Sequence, residues 1–421
     1  MTAAALADRV RLILAGFLRS LAVGMTGVLL AIYLGSIGWN VRSAGLLVTV
    51  GLAGIAAATL LTSLLADRAG RRRTLVLLGL LTALGAVALA VARRPELLFV
   101  AAFFGMINGL GRDRGAAYAL EQALLPETTT PERRTYVLAW YGLALDIGLA
   151  LGSLLAGVPY LLRARFGWPV GSAYQAAWLL SAALALLGAA ISATLSSRVE
   201  LHRPRAPGTT GWGPRLAPES RRRIAKLAAL TGMDSLGGGF LTGALVSYWF
   251  FRRFGLGEQW LGPLFFGARM ANAGSHLVAA WLARRIGLLN TMVFTHIPSS
   301  LFLLAVPFAP GVGWATALFL AREALVEMDV PTRQSYILAV VRPEERAFAS
   351  GMTTLTRNFA YAVAPAGAGL AMSGVALASP LFLGAATKIL YDFLLYFSFR
   401  RIKPPEERIP GWTQGGSGPA R

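Results

Sequence analysis

The chain has 421 residues, of which 55% are hydrophobic and 14% charged, with no cysteine and a formal net charge of +20. A soluble domain carries roughly 25% charged residues, so the soluble globular class is excluded, and a disulfide framework with it. Nucleic acid is excluded as the reason for the charge, because the basic residues are scattered among loops with no interleaved aromatic platform.

Twelve apolar runs follow in chain order. They cover roughly residues 12–35, 42–66, 74–92, 97–123, 135–161, 172–196, 223–250, 258–283, 290–309, 313–340, 348–373 and 379–399. Each is long enough for a spanning helix, which needs about 20 residues. Strand alternation is absent and the runs are too long for barrel strands, so the expected fold class is all-α. The first run outlasts a signal-peptide core and reads as an uncleaved anchor.

Residues 197–222 form the long polar break, with Pro204, Pro207, Pro214 and Pro218 and several arginines. That composition makes a linker. The expected organisation is a six-helix bundle over residues 1–196, a cytoplasmic linker over 197–222, a second bundle over 223–403, and a flexible cytoplasmic tail over 404–421. With the N-terminus inside, twenty-five Lys and Arg fall on the inner side and seven on the outer side. The positive-inside rule then places both termini in the cytoplasm.

The segment Leu65-Ala66-Asp67-Arg68-Ala69-Gly70-Arg71-Arg72-Arg73-Thr74 returns 217 residues later as Leu282-Ala283-Arg284-Arg285-Ile286-Gly287-Leu288-Leu289-Asn290-Thr291. Other positions keep nearly the same offset: Arg19 with Asp234 and Tyr33 with Tyr248 at 215, and Pro126-Glu127 with Pro343-Glu344 at 217. Such internal repeats mark transporters built from two homologous halves.

The stretch from Ser63 to Arg72 resembles the loop signature of the major facilitator superfamily, Gly-x-Leu-Ala-Asp-Arg-x-Gly-Arg-Arg, with Ser63 in place of the first glycine. The resemblance covers nearly the whole chain. It implies twelve transmembrane helices in two pseudo-symmetric bundles around a cavity lined by spans 1, 4, 7 and 10, with alternating access by rocking. It also implies a gating role for Asp67, Arg68, Gly70, Arg71 and Arg72. Asp67 is expected to accept hydrogen bonds at a neighbouring helix N-terminus, where the dipole is positive. The arginines are expected at the anionic inner leaflet.

Sixteen charged residues fall inside the runs, eight of each sign. Each costs about 2.5–3.5 kcal/mol at mid-bilayer and so faces a cavity or a partner. Arg19 and Asp234 hold equivalent places with opposite sign, which suggests a charge pair that breaks during a cycle or a permanent bridge between halves. Gly237, Gly238 and Gly239 suggest a bend in span seven or close packing. In span ten Asp329 and Arg333 are an i,i+4 structural pair. Glu323 and Glu327 have no obvious local partner and are candidates for protonation. Asn108 and Arg112 in span four, Asp146 in span five, Arg269 in span eight and Arg357 in span eleven complete the candidate cavity residues. Each of these also reads as helix-to-helix glue.

No zinc spacing joins His202, His276 and His296, and there is no P-loop. The expectation is a non-enzyme without metal or cofactor: an ion-coupled secondary transporter, proton-driven, moving a small solute, by export. Two other readings stand beside it: a non-transporting receptor or scaffold of the same fold, and a lipid-linked flippase whose arginines grip an anionic head group. The expected setting is a bacterial inner membrane, with a monomer among lipids.

Overall fold

The computed structural model describes residues 3–92, 94–112, 115–130, 133–200, 218–329, 332–333, 336 and 346–400. Most of the linker and the whole tail lie outside these residues, as do Asp113, Arg114 and Gln334. Among the described residues the regular structure is helical. In chain order the helices are α1 (Ala3–Ser36), α2 (Val41–Ala69), α3 (Arg71–Val91), α4 (Pro95–Phe104), α5 (Ala116–Leu124), α6 (Arg134–Leu155), α7 (Val158–Phe166), α8 (Val170–Ala193), α9 (Pro218–Phe240), α10 (Gly243–Phe254), α11 (Glu258–Ile286), α12 (Leu288–Ala305), α13 (Val312–Val326), α14 (Arg346–Gly374) and α15 (Ser379–Phe399).

Seven stretches among these residues have the length and apolarity of a membrane crossing. Others differ from the unbroken runs of the sequence because they are interrupted. Span four stops at Phe104 and resumes at Ala116. Met106 sits in that gap with φ of +53°, a strained place for a side-chain-bearing residue. Span seven stops at Phe240, and Thr242 then caps α10 by accepting from the Leu245 amide. Irregular backbone at membrane depth is tolerated where protein covers it. Here the carbonyls of Leu110 and Gly109, in the gap of span four, accept from the amides of Gly243 and Ala244. Each interruption therefore satisfies polar groups that the other frees.

Large apolar side chains such as Leu61, Leu64, Leu84, Leu355, Phe359 and Phe397 point outward and exposed. Such faces match lipid, not water. Trp168, Trp260 and Trp314 lie exposed beside the starts of α8, α11 and α13, and Tyr136, Trp140 and Trp281 are exposed near the start of α6 and the end of α11. Aromatic residues of this kind collect at the two membrane interfaces.

The chain divides into two compact units. One holds residues 1–204, 242–267 and 365–377; the other holds 205–241, 268–364 and 378–421. In the first, α3 packs on α8, and α1 packs on α6 and α8. In the second, α12 and α9 both pack on α15. The pairs α3–α8 and α12–α15, and likewise α1–α8 and α9–α15, are equivalent in the two sequence halves. The buried clusters share three equivalent positions. Leu12, Ala66 and Leu75 lie in one core cluster, and Leu227, Ala283 and Met292 in another, at the offsets of 215 and 217 already found in the sequence.

Candidate functional site

The repeated turn is the same object in both halves. Gly70 (φ +96°) and Gly287 (φ +88°) both take a backbone that side chains rarely adopt. They join α2 to α3 and α11 to α12. Four residues on, Thr74 and Thr291 each donate a hydroxyl to that glycine's carbonyl at 2.8 Å. The chemistry around the turn is not repeated. In the first copy Arg71 donates to Asp67 at 2.6 Å and to Glu127 at 3.0 Å. Arg284 and Leu288 hold the places of Asp67 and Arg71 in the second copy.

The expected role of Asp67 at a helix N-terminus belongs to Glu200 instead. Its two carboxylate oxygens accept from the backbone amides of Arg71 and Arg72 at 2.8 and 3.0 Å. A carboxylate there satisfies orphan donors and complements the helix dipole. Arg72 also reaches the Leu195 carbonyl at 3.1 Å. The first residues of the expected linker are thus docked under α3. Asp67 is 71% exposed, and Arg68 is exposed as well. Asp67→Asn should therefore leave thermal stability nearly unchanged, since Arg71 keeps Glu127. Glu200→Ala should lower stability by about 0.5–2 kcal/mol, the cost of losing a helix cap. Unfolding midpoints in detergent check the pair; equal losses would mean that Asp67 carries the turn.

Arg19 and Asp234 each have partners inside their own unit. Arg19 makes a two-pronged bond to Glu121 at 2.8 and 2.7 Å, and the Tyr141 hydroxyl donates to the same carboxylate. Asp234 accepts from Lys388 at 2.7 Å through one oxygen and from Arg333 through the other. The opposite signs at equivalent positions therefore reflect two internal pairings of reversed polarity. In the first half the base is on span one and the acid on span four. In the second the acid is on span seven and a base on span ten. The i,i+4 bridge from Arg333 to Asp329 forms at 3.1 Å, and Arg333 spans both acids.

Close packing, not bending, accounts for the three glycines beside Asp234. A Cβ on Gly237 would stand 3.0 Å from Lys388 Cγ, and one on Gly239 would stand 2.6 Å from Ala364 Cβ. The interruption of span seven comes after Phe240. Glu323 has a local partner after all. It pairs with Arg322 and accepts from Asn272 Nδ2 at 2.8 Å. Glu327 is buried at the end of α13.

Asn108 and Arg112 do not lie on a helix. Asn108 braces the gap of span four, donating to the Arg112 carbonyl at 2.7 Å and accepting from the Leu110 amide at 3.0 Å. Arg19, Asn108 and Glu121 line one cavity of about 80 Å³, with Met106 and the start of α5. Its other walls are mostly small or apolar side chains from spans one, three and six, such as Leu78, Gly79 and Ala185. Asp146, Arg269 and Arg357 are half-buried on α6, α11 and α14. Gly148 and Gly152, near Asp146, give close contact with α1, where a Cβ would meet the Phe17 and Leu21 carbonyls; Gly142 faces open space.

Sequence reasoning passed over His296 as an isolated histidine. It is buried on α12, with Nδ1 2.9 Å from Asp392 and Nε2 3.2 Å from the Lys388 ammonium. A signal was present: Lys388 and Asp392 stand four apart on an apolar run, so both face one way. Their meeting with His296 needs the packing of α12 on α15.

At the end of the spans away from the repeated turn, the first unit joins segments of both sequence halves. Gly45 faces Pro365 and Gly369, Gly243 faces Gly27, and Gly262 faces Ser153, all at backbone distance. The Ala366 amide donates to Thr49 Oγ1 at 2.9 Å. Arg163 pairs with the buried Glu258 at the start of α11. Spans one and seven, two and eleven, and five and eight thus close in three pairs.

The sequence profile of the Major Facilitator Superfamily matches residues 12–365. The chain is a member of the major facilitator superfamily. An uncharacterized membrane protein of Saccharomyces cerevisiae is 26% identical over 411 residues, covering 91% of this chain and 92% of its own. Among solved structures, the nucleoside transporter NupG superposes with a TM-score of 0.73 at 13% identity. It covers 93% of this chain and 100% of its own. A D-xylose–proton symporter gives 0.70 at 15%, covering 94% and 98%. A bacterial homolog of the human lysosomal transporter Spinster gives 0.70 at 14%, covering 94% and 96%. These likenesses show the fold. Membership in the superfamily makes the chain a multi-pass membrane protein and points to secondary transport, not to an enzyme.

Proposed function

We propose that this superfamily member is a proton-driven secondary transporter that moves a small solute by alternating access. The observation that carries the reading is the buried ionic cluster of Asp234, Asp329, Asp392, Arg333, Lys388 and His296 in the second unit. Buried ionic groups gain little stability over apolar packing of the same volume. In a membrane interior they are expensive and mark ion or proton pathways. The closed end of the first unit supports alternating access, since a solute entering from that side needs the three helix pairs to part.

The basic asymmetry supports cytoplasmic termini in a cell membrane, which makes the closed end the outer one. Side-specific reporters fused near Arg94 and Arg205 should give opposite signals; like signals would sink this orientation.

For the function itself, proteoliposomes with an imposed pH gradient are offered a panel of small solutes, nucleosides and pentoses included. At least one should accumulate against its gradient and collapse when an ionophore removes the pH difference. Flux in inside-out and right-side-out vesicles then tests the outward direction expected from the sequence. A solute that moves equally well without a pH difference would remove proton drive.

A further inference from the structure

The cluster of the second unit has more acids than fixed cations. Its acids are Asp234 on α9, Asp329 beyond α13 and Asp392 on α15. Among the described residues its obligate cations are Arg333 and Lys388. Arg333 faces Asp329 and Asp234, and Lys388 faces Asp234 and His296. Asp392 is fully buried, and among the described residues its hydrogen-bond partner is His296 Nδ1, at 2.9 and 3.2 Å from its two oxygens. Three carboxylates against two cations leave one negative charge in a dry interior, which is costly unless a proton neutralises it.

We propose that the His296–Asp392 couple is the binding site of the coupling proton, and that its protonation re-aims Lys388. The proposal rests on the proton-driven reading above. The geometry permits two arrangements. With the couple unprotonated, His296 donates Nδ1–H to Asp392, and its bare Nε2 accepts from the Lys388 ammonium at 3.2 Å. With a proton added, Nε2 becomes a donor. Two donors cannot face each other at that distance. Lys388 then gives up the ring and keeps Asp234 Oδ1, while Nε2–H turns towards the same oxygen, now 3.8 Å away. The proton comes from water and ends on the ring, and no other bond is made or broken.

The rearrangement reaches the cavity spans directly. The Lys388 stem lies against Gly237 of α9, and Asp234 one turn earlier holds Arg333. A proton bound between α12 and α15 therefore changes the charge balance that ties spans seven and ten to each other. The groups around His296 are few. From α15 come Lys388, Asp392 and the Tyr391 ring, edge-on at 5.9 Å, whose buried hydroxyl has no partner among the described residues. From α9 comes Asp234, and from beyond α13 come Asp329 and Arg333. On α13, the Arg322 carbonyl accepts from Ser299, one turn from His296 on α12, and the Arg322 guanidinium is held by Glu323.

The test needs no substrate. The chain has no cysteine, so Ser153→Cys at the closed end gives one maleimide-reactive site whose labelling rate reports opening. That rate, divided at each pH by the rate of the same chain unfolded in SDS to remove thiol ionisation, should vary along a one-proton curve in the otherwise unchanged protein and in a Glu96→Gln control. In His296→Gln and Asp392→Asn the curve should be flat. If both variants keep the curve of the parent, the site is overturned while the proton-driven reading stands. If Asp392→Asn alone is flat, the couple is overturned in favour of the lone acid. A parent with no curve and no flux driven by a pH gradient overturns the function reading, and the site with it. Should the variants fail to fold, a chain with His202→Gln and His276→Gln leaves the cluster intact and one histidine to follow by 15N resonance. That ring should pass from the Nδ1–H neutral form to the cation over the pH range of the labelling curve. A ring that keeps one protonation state across it overturns the proposal.

Discussion

Exchanging Arg19 and Glu121 within one molecule is expected to restore most of what either alanine substitution removes. Glu121 is almost wholly buried, while Arg19 keeps some exposure on the cavity wall. Arg19→Ala leaves a buried carboxylate with the Tyr141 hydroxyl as its remaining hydrogen-bond donor among the described residues. Breaking a buried pair in this way costs about 3–5 kcal/mol. Asp234→Ala should cost at least as much, because it takes the carboxylate from Lys388 and leaves Arg333 with Asp329 alone. By contrast, the exchange of Arg19 with Asp234 should rescue nothing, since it places a like charge beside each residue's actual partners. Thermal unfolding of the single, double and exchanged variants in detergent gives the coupling free energies directly. Additive losses for Arg19→Ala and Glu121→Ala would show that the two act apart, and rescue by the Arg19–Asp234 exchange would contradict the internal pairings.

The second large effect is expected at the closed end. A Cβ on Gly45 would stand 2.5 Å from the Pro365 carbonyl oxygen and 3.1 Å from Gly369 Cα. Backbone cannot give way as a side-chain tip does. Gly45→Leu should therefore disfavour the closed arrangement of spans two and eleven. Overpacking typically costs about 1–3 kcal/mol, and each 1.4 kcal/mol is about tenfold in an equilibrium. The labelling rate of Ser153→Cys should rise by about tenfold or more, with transport slowed because closure has become unfavourable. Glu258→Gln should act in the same direction more weakly, since Arg163 retains solvent on one side. An unchanged labelling rate in Gly45→Leu, with folding intact, would mean that these helix pairs do not gate access.

The sequence by itself determined the all-helical membrane class, the family and the repeated turn. These rest on properties that are local or periodic. Apolar run length decides what enters a bilayer. A glycine between two helices allows a left-handed turn whatever lies nearby, which is why Gly70 and Gly287 agree even though Asp67 and Arg71 are not repeated. The opposite signs of Arg19 and Asp234 were also visible, but the partner of each was not. A charged side chain chooses among acids and bases brought near by helix packing, and the nearest in sequence symmetry is not the nearest in space. The same reason hid His296. Its apolar neighbours on α12 gave no pattern, and only the packing of α12 on α15 sets its ring between Lys388 and Asp392. The interruption of span four did leave a signal, Gly105, Gly109, Gly111 and Gly115 around Asn108 and Arg112, which the apolar count over residues 97–123 averaged away. What decides it is the docking of the Gly243 and Ala244 amides on carbonyls that an unbroken helix would have used for itself.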